Sequence, residues 1–209
     1  MKIVCFGDSL TVGFQSPTQE APYYHETPYG DMLQRCFGKR ATVLTRGHNG
    51  ELTGEMTTRF PRDVLREVPH SVIILGGTND LGMNMAPSTI FENLTWMYDQ
   101  ASQSDIQPVA VTVPSLRDVG DQQNPEFQKQ YINPRVELNR LIMTHCQAQS
   151  LACIDLYSAT LEPGGTLLLA RQYSNDGIHL STKGYECFAG LVWDQVWARE
   201  YGIRSTVLE

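Results

Sequence analysis

The sequence has no uninterrupted apolar run of about 18 residues, the length a membrane-crossing helix needs, so no transmembrane span is expected. Its five cysteines (Cys5, Cys36, Cys146, Cys153 and Cys187) are odd in number, scattered, and form no C-x-x-C pair. That pattern argues against a disulfide framework or a zinc site and fits reduced thiols. Cationic side chains are in the minority, 16 Lys and Arg against 23 Asp and Glu, for a net charge of −7. Nucleic acid and anionic membrane are therefore poor partners. There is no G-x-G-x-x-G and no G-x-x-x-x-G-K-[ST], so nucleotide binding has no support. Neither a metal nor an organic cofactor is expected. The start of the chain lacks a signal-type apolar region, since Lys2 leads into the short run Ile3–Phe6 and then a turn. A cytoplasmic location is the expectation. No repeat, low-complexity tract or linker interrupts the 209 residues, and one domain over 1–209 can bury its own core. Oligomeric state is left open.

Short β-rich apolar runs recur at Ile3–Phe6, Ala41–Leu44, Ser71–Leu75, Pro108–Val113 and Cys153–Leu156. Helical periodicity fills the intervals at Pro28–Phe37, Thr57–Glu67, Pro87–Ser102, Arg135–Ser150 and Ser181–Tyr201, the last with Ser181 or Thr182 as N-cap. Five strand–helix repeats predict an α/β protein with parallel strands, right-handed crossovers and helices on both faces. Val72-Ile73-Ile74-Leu75 does not alternate with polar residues, as expected of a strand covered on both sides. Residues 15–30, rich in proline and tyrosine, and polar residues 114–133 are long for connections in a compact domain. Both follow strands on the side where a site would form, so they read as walls or a lid. Plain surface excursions are the alternative.

Three phrases carry the chemistry: Gly7-Asp8-Ser9-Leu10, Gly76-Gly77-Thr78-Asn79-Asp80 and Asp176-Gly177-Ile178-His179. Ser9 sits at a strand-to-helix turn, where free backbone N–H groups favour developing negative charge; alone it could equally be an N-cap. Asp176 and His179, three residues apart, can share one face of a turn. The carboxylate would then hold the imidazole while its other nitrogen faces Ser9, whereas a helix cap and a solvent-facing histidine are the plain alternative. His48 is the rival base, at a strand end beside Gly50, and His25, His70 and His145 compete less well. Asn79 can donate an amide to an oxyanion or simply serve a turn, and Gly50 can expose a backbone N–H or simply turn the chain. Together the phrases read as a serine hydrolase.

In this order the residues resemble the SGNH hydrolases, the GDSL family of esterases and lipases, from Phe6 to about Gly184. The nucleophile block is Gly7-Asp8-Ser9-Leu10, the asparagine block Gly76–Asp80 and the final block Asp176–Leu180. The glycine block, Arg46-Gly47-His48-Asn49-Gly50-Glu51, matches more loosely, because Thr45 stands where the family often has Asn. The resemblance implies a three-layer α/β/α flavodoxin-like sandwich with a five-stranded parallel sheet. It implies Ser9 as nucleophile, His179 as base and then acid, and Asp176 as its orienter. The Ser9 N–H, Gly50 N–H and Asn79 side chain would form the oxyanion hole. A small-molecule ester is the implied substrate, with short acyl esters, including acetylated carbohydrate, expected. Thioesterase or lysophospholipase-type hydrolysis, and a non-catalytic binding module on the same fold, are the alternatives.

Overall fold

A computed structural model describes residues 1–118 and 124–201. Five parallel strands, β1 (Lys2–Gly7), β2 (Thr42–Gly47), β3 (Ser71–Leu75), β4 (Gln107–Val111) and β5 (Ala152–Ile154), form one sheet in the order β2-β1-β3-β4-β5. The helices are α1 (Ser9–Val12), α2 (Tyr29–Phe37), α3 (Thr53–Asp63), α4 (Thr78–Gly82), α5 (Pro87–Gln103), α6 (Asn133–Gln149) and α7 (Thr182–Val192), with shorter turns between them. Successive strand residues point to opposite faces, and each face has its own helical cover. Ile3, Cys5, Ile73, Leu75, Val109 and Val111 pack against α2, α7 and the turn that follows α7. Val4, Phe6, Val72, Ile74 and Ala110 pack against α3, α5 and α6. That explains why the central strands carry no polar alternation, and it gives the flavodoxin-like three layers.

The chain runs from β1 outward to β2, then back across β1 to β3. The strand order therefore reverses between β1 and β3, and a crevice opens at their C-terminal ends, where open α/β sheets hold ligands. Ser9 follows β1 and Thr78-Asn79 follow β3, so both flank that crevice.

The departures from the sequence reading are local. Strand β2 runs on to Gly47 rather than stopping at Leu44, because β1 hydrogen-bonds to it as far as Gly7. Helix α3 begins at Thr53 instead of Thr57: Glu55 accepts from the Leu52 N–H, and both oxygens of Asp80 accept from the Thr53 N–H. Residues Trp193–Trp197 form a π-turn that interrupts the last predicted helix. Within 15–30, His25–Glu26 pair antiparallel with Phe14–Gln15 in a two-stranded ribbon. In the second long segment, residues 119–123 lie outside the described residues, while Pro125–Ile132 are helical and run into α6.

Candidate active site

The turn after β1 is built around Asp8. Its Oδ1 accepts from the Leu10 N–H at 2.9 Å, capping α1 and placing Ser9 as the first helical residue, buried just past the end of β1. His179 Nε2 lies 3.2 Å from Ser9 Oγ, and His179 Nδ1 lies 2.7 Å from Asp176 Oδ2. A carboxylate facing Nδ1 places the ring proton there and leaves Nε2 to accept from the Ser9 hydroxyl. The structure thus brings Ser9, His179 and Asp176 into one hydrogen-bonded chain.

The acid–base pair stands on an irregular loop, not on a helical turn. Asp176 Oδ1 accepts from the Ile178 and His179 N–H groups at 2.8 and 2.7 Å, folding the four-residue phrase on itself. Gly177 is obligatory here: its φ is +84°, and a Cβ would sit 2.2 Å from the Arg117 carbonyl oxygen. Partial burial pushes the Asp176 carboxyl upward in pKa. Hydrogen bonds from His179, Ser16 and those two backbone amides more than offset this and hold it well below the usual carboxylate range. Asp176 is therefore ionised throughout the neutral range.

Asp8, one residue before Ser9, moves the opposite way. It is fully buried, its Oδ2 has no hydrogen-bond partner, and burial pushes its pKa up to about 7. The Leu10 N–H and the nearby His179 lower it only in part.

Gly50 and Asn79 line one cavity of about 680 Å³ together with Met83, Leu116, Tyr131 and Ile178. Asp176 borders the same space, so the second long segment walls the site through Leu116 and Tyr131. Gly50 has φ +75°, and a Cβ there would meet nothing within 4 Å. The turn conformation, not close approach, is what selects glycine at that position. Asn79 Nδ2 donates to the Glu51 carbonyl at 2.9 Å. An amide nitrogen carries two hydrogens, so this bond fixes the side chain and leaves the second for a ligand.

Arg59, which the sequence reading passed over, braces these parts. Its Nε and Nη2 hold the Glu51 carboxylate at 2.6 and 2.5 Å, and Nη2 also donates to the Gly7 carbonyl at 3.0 Å. The guanidinium lies 4.1 Å from the centroid of the Phe6 ring, and both ion-pair partners are buried. One side chain thus joins the end of β1, the turn that carries Gly50, and the carbonyl that holds Asn79. The available signal was a charged pair in a buried stripe: Met56, Arg59, Phe60 and Asp63 fall on one face of α3. Ser16 and Phe14, which meet Asp176 and His179, were also missed.

The rival histidines stand elsewhere. The His48 ring is half exposed, with Nδ1 3.5 Å from Glu51, a carboxylate already held by Arg59. His25 lies exposed in the ribbon, His70 is exposed at the start of β3, and His145 packs against Phe91 and Tyr98. All five cysteines are free thiols. Among the described residues no cluster of His, Cys, Asp and Glu is arranged to hold a metal, and no helix is long and apolar enough to cross a membrane.

Residues 5–187 match the profile of the GDSL-like Lipase/Acylhydrolase family. The solved lipase/acylhydrolase from Enterococcus faecalis is 30% identical, with 95% of this chain and 96% of that one covered at a TM-score of 0.73. Est24, a carbohydrate acetylesterase from Sinorhizobium meliloti, is 20% identical with 95% and 99% covered at a TM-score of 0.74, a likeness of fold alone. Among curated proteins, an uncharacterized lipoprotein, YqeF, of Bacillus subtilis (strain 168) is 26% identical over 116 residues. That match takes in 53% of this chain and 47% of YqeF, so it spans about half of that relative's length.

Proposed function

This chain belongs to the GDSL-like lipase/acylhydrolase family, and from that premise we propose that it is a serine esterase acting on short-chain carboxylic esters through a Ser9–His179–Asp176 triad. The observation that carries the reading is the unbroken run from Ser9 Oγ to His179 Nε2 at 3.2 Å and from His179 Nδ1 to Asp176 Oδ2 at 2.7 Å. Ser9 attacks the ester carbonyl as His179 takes its proton, and the ionised Asp176 stabilises the imidazolium. The carbonyl oxygen, now negative, is met by the Ser9 and Gly50 N–H groups and the free hydrogen of Asn79. His179 then protonates the departing alcohol, leaving an acyl-enzyme. Water, activated by the same imidazole, releases the acid. No step calls for a metal or a cofactor.

Acetylated carbohydrate is the substrate this reading favours, supported by the fold shared with the acetylesterase Est24 and by the exposed Tyr24, stacked on the Phe14 ring that packs against His179. A second reading rests on the cavity: about 680 Å³ with apolar walls at Met83, Leu116 and Ile178 exceeds what an acetyl group needs and suits a longer acyl chain. The five free thiols support a reducing, cytoplasmic setting.

The deciding experiment is hydrolysis of p-nitrophenyl acetate by the wild type and Ser9→Ala side by side. Turnover in the wild type with only background in the variant is expected, and equal rates would overturn the reading. Extending the panel to longer p-nitrophenyl esters separates the substrates. A rate that climbs with chain length would replace the short-acyl assignment with the second reading.

A further inference from the structure

Three consecutive residues outside the family's named blocks each touch the acid–base loop. The Phe14 ring packs on the His179 imidazole, with centroids 4.6 Å apart and planes at 59°. Gln15 Oε1 accepts from Asn175 Nδ2 at 3.3 Å. Ser16 Oγ donates to Asp176 Oδ2 at 2.5 Å. From this juxtaposition, and resting on the triad reading above, we infer that residues 14–16 form a strap that positions the acid–base pair, with Ser16 as the positioning residue of Asp176.

The strap is itself anchored. The Phe14 carbonyl accepts from the Tyr185 hydroxyl at 2.9 Å, and Gln15 Nε2 donates to Thr27 Oγ1 and Thr182 Oγ1 at 2.7 and 2.9 Å. Pairing of Phe14–Gln15 with His25–Glu26 closes the ribbon, and Tyr24 stacks on the outer side of Phe14 at 5.7 Å. Tyr185 and Thr182 belong to α7, which starts just after the acid–base loop, so strap and loop share one support.

The position of the Ser16 bond gives it a role beyond holding the loop. Asp176 Oδ1 is fixed by two backbone N–H groups, while Oδ2 accepts both Ser16 and His179. Without Ser16 the carboxylate has no side-chain donor beside the imidazole on Oδ2, and that oxygen gains freedom to leave the ring plane. Phe14 against the ring face opposes the matching motion of the imidazole. Orientation of the base, not substrate binding, is what the strap governs.

The test compares Ser16→Ala and Ser16→Thr with the wild type in two measurements. The first is the low-field proton resonance of His179 Nδ1–H, read without turnover; the second is kcat and KM on p-nitrophenyl acetate. Ser16→Ala is expected to broaden the resonance into exchange and lower kcat about tenfold with KM unchanged, the size of one hydrogen bond to a charged group. Ser16→Thr, which keeps the hydroxyl, restores both. An unchanged resonance in Ser16→Ala overturns the strap, as does a loss that threonine fails to rescue. Because the resonance needs no turnover, failure of the strap and failure of the esterase reading are told apart.

Discussion

Ser9, Gly50 and Asn79 stand just beyond the ends of β1, β2 and β3, where the Arg59–Glu51 ion pair ties two of those ends together and Glu51 takes the amide of the third. Asp176 and His179 stand on a loop without regular structure, about a fifth exposed, held by side-chain hydrogen bonds and by residues 14–16. Two aspartates report the difference. Asp8, in the dry half, is driven up to about 7 by burial, while Asp176, in the wetter half, is held below the usual range by four donors. The half that carries Ser9, Gly50 and Asn79 is braced by buried charge and sheet. The half that carries His179 is held by bonds to a carboxylate that stays ionised.

If that division is right, Arg59→Met is the substitution with the greatest cost. It removes the partner of a buried carboxylate and four links at once, to Glu51, the Gly7 and Arg46 carbonyls and the Asp63 carboxylate. Loss of one partner of a buried pair costs about 3–5 kcal/mol. Urea unfolding should show a drop of that order, and a loss below about 1 kcal/mol would show that β1 and its neighbours hold the site without the brace.

Asn79→Ala probes the same half by function alone. The fold keeps Gly50 and Glu51 in place through Arg59, so the expected effect is on kcat, a fall of about 10²–10³ with little change in KM, the usual cost of one lost oxyanion donor. A rise in KM with kcat intact would assign Asn79 to ground-state binding and remove it from the oxyanion hole.

The sheet was legible in the sequence because its central strands are covered on both faces and so read as unbroken apolar runs. Val72–Leu75 is the plainest example, and β3 is found at Ser71–Leu75 as expected. The candidate site was legible because Ser9, Asn79 and the Asp176–His179 pair each follow a strand or precede a helix, and the structure brings Ser9, His179 and Asp176 together. What escaped reading is held by contacts between distant residues. Asp80 caps α3 from 27 residues away, and Arg59 reaches the Gly7 carbonyl across 52. Ser16 meets Asp176 across 160 residues. The ribbon strands are two residues each, too short to show a period of two.

Asp8 offers the finest test of the contrast between the dry and wet halves. Its usual value is 3.8 and its folded value about 7. Below the lower value both folded and unfolded chains hold the proton. Between the two only the folded chain does, so stability falls as pH rises through that window, and above about 7 the folded protein carries the full cost of a buried carboxylate. The amide side chain introduced by Asp8→Asn is neutral throughout and keeps an oxygen for the Leu10 N–H, so the variant escapes that cost. It should therefore melt at nearly the wild-type temperature at about pH 3.5 and increasingly above it as pH rises to about 8.5. One pKa unit is about 1.4 kcal/mol, so a rise from 3.8 to about 7 makes the full gain on the order of 4 kcal/mol. A gap between the two melting curves that stays constant with pH would mean that water reaches Asp8, and the half around Ser9 would then be no drier than the loop that carries Asp176.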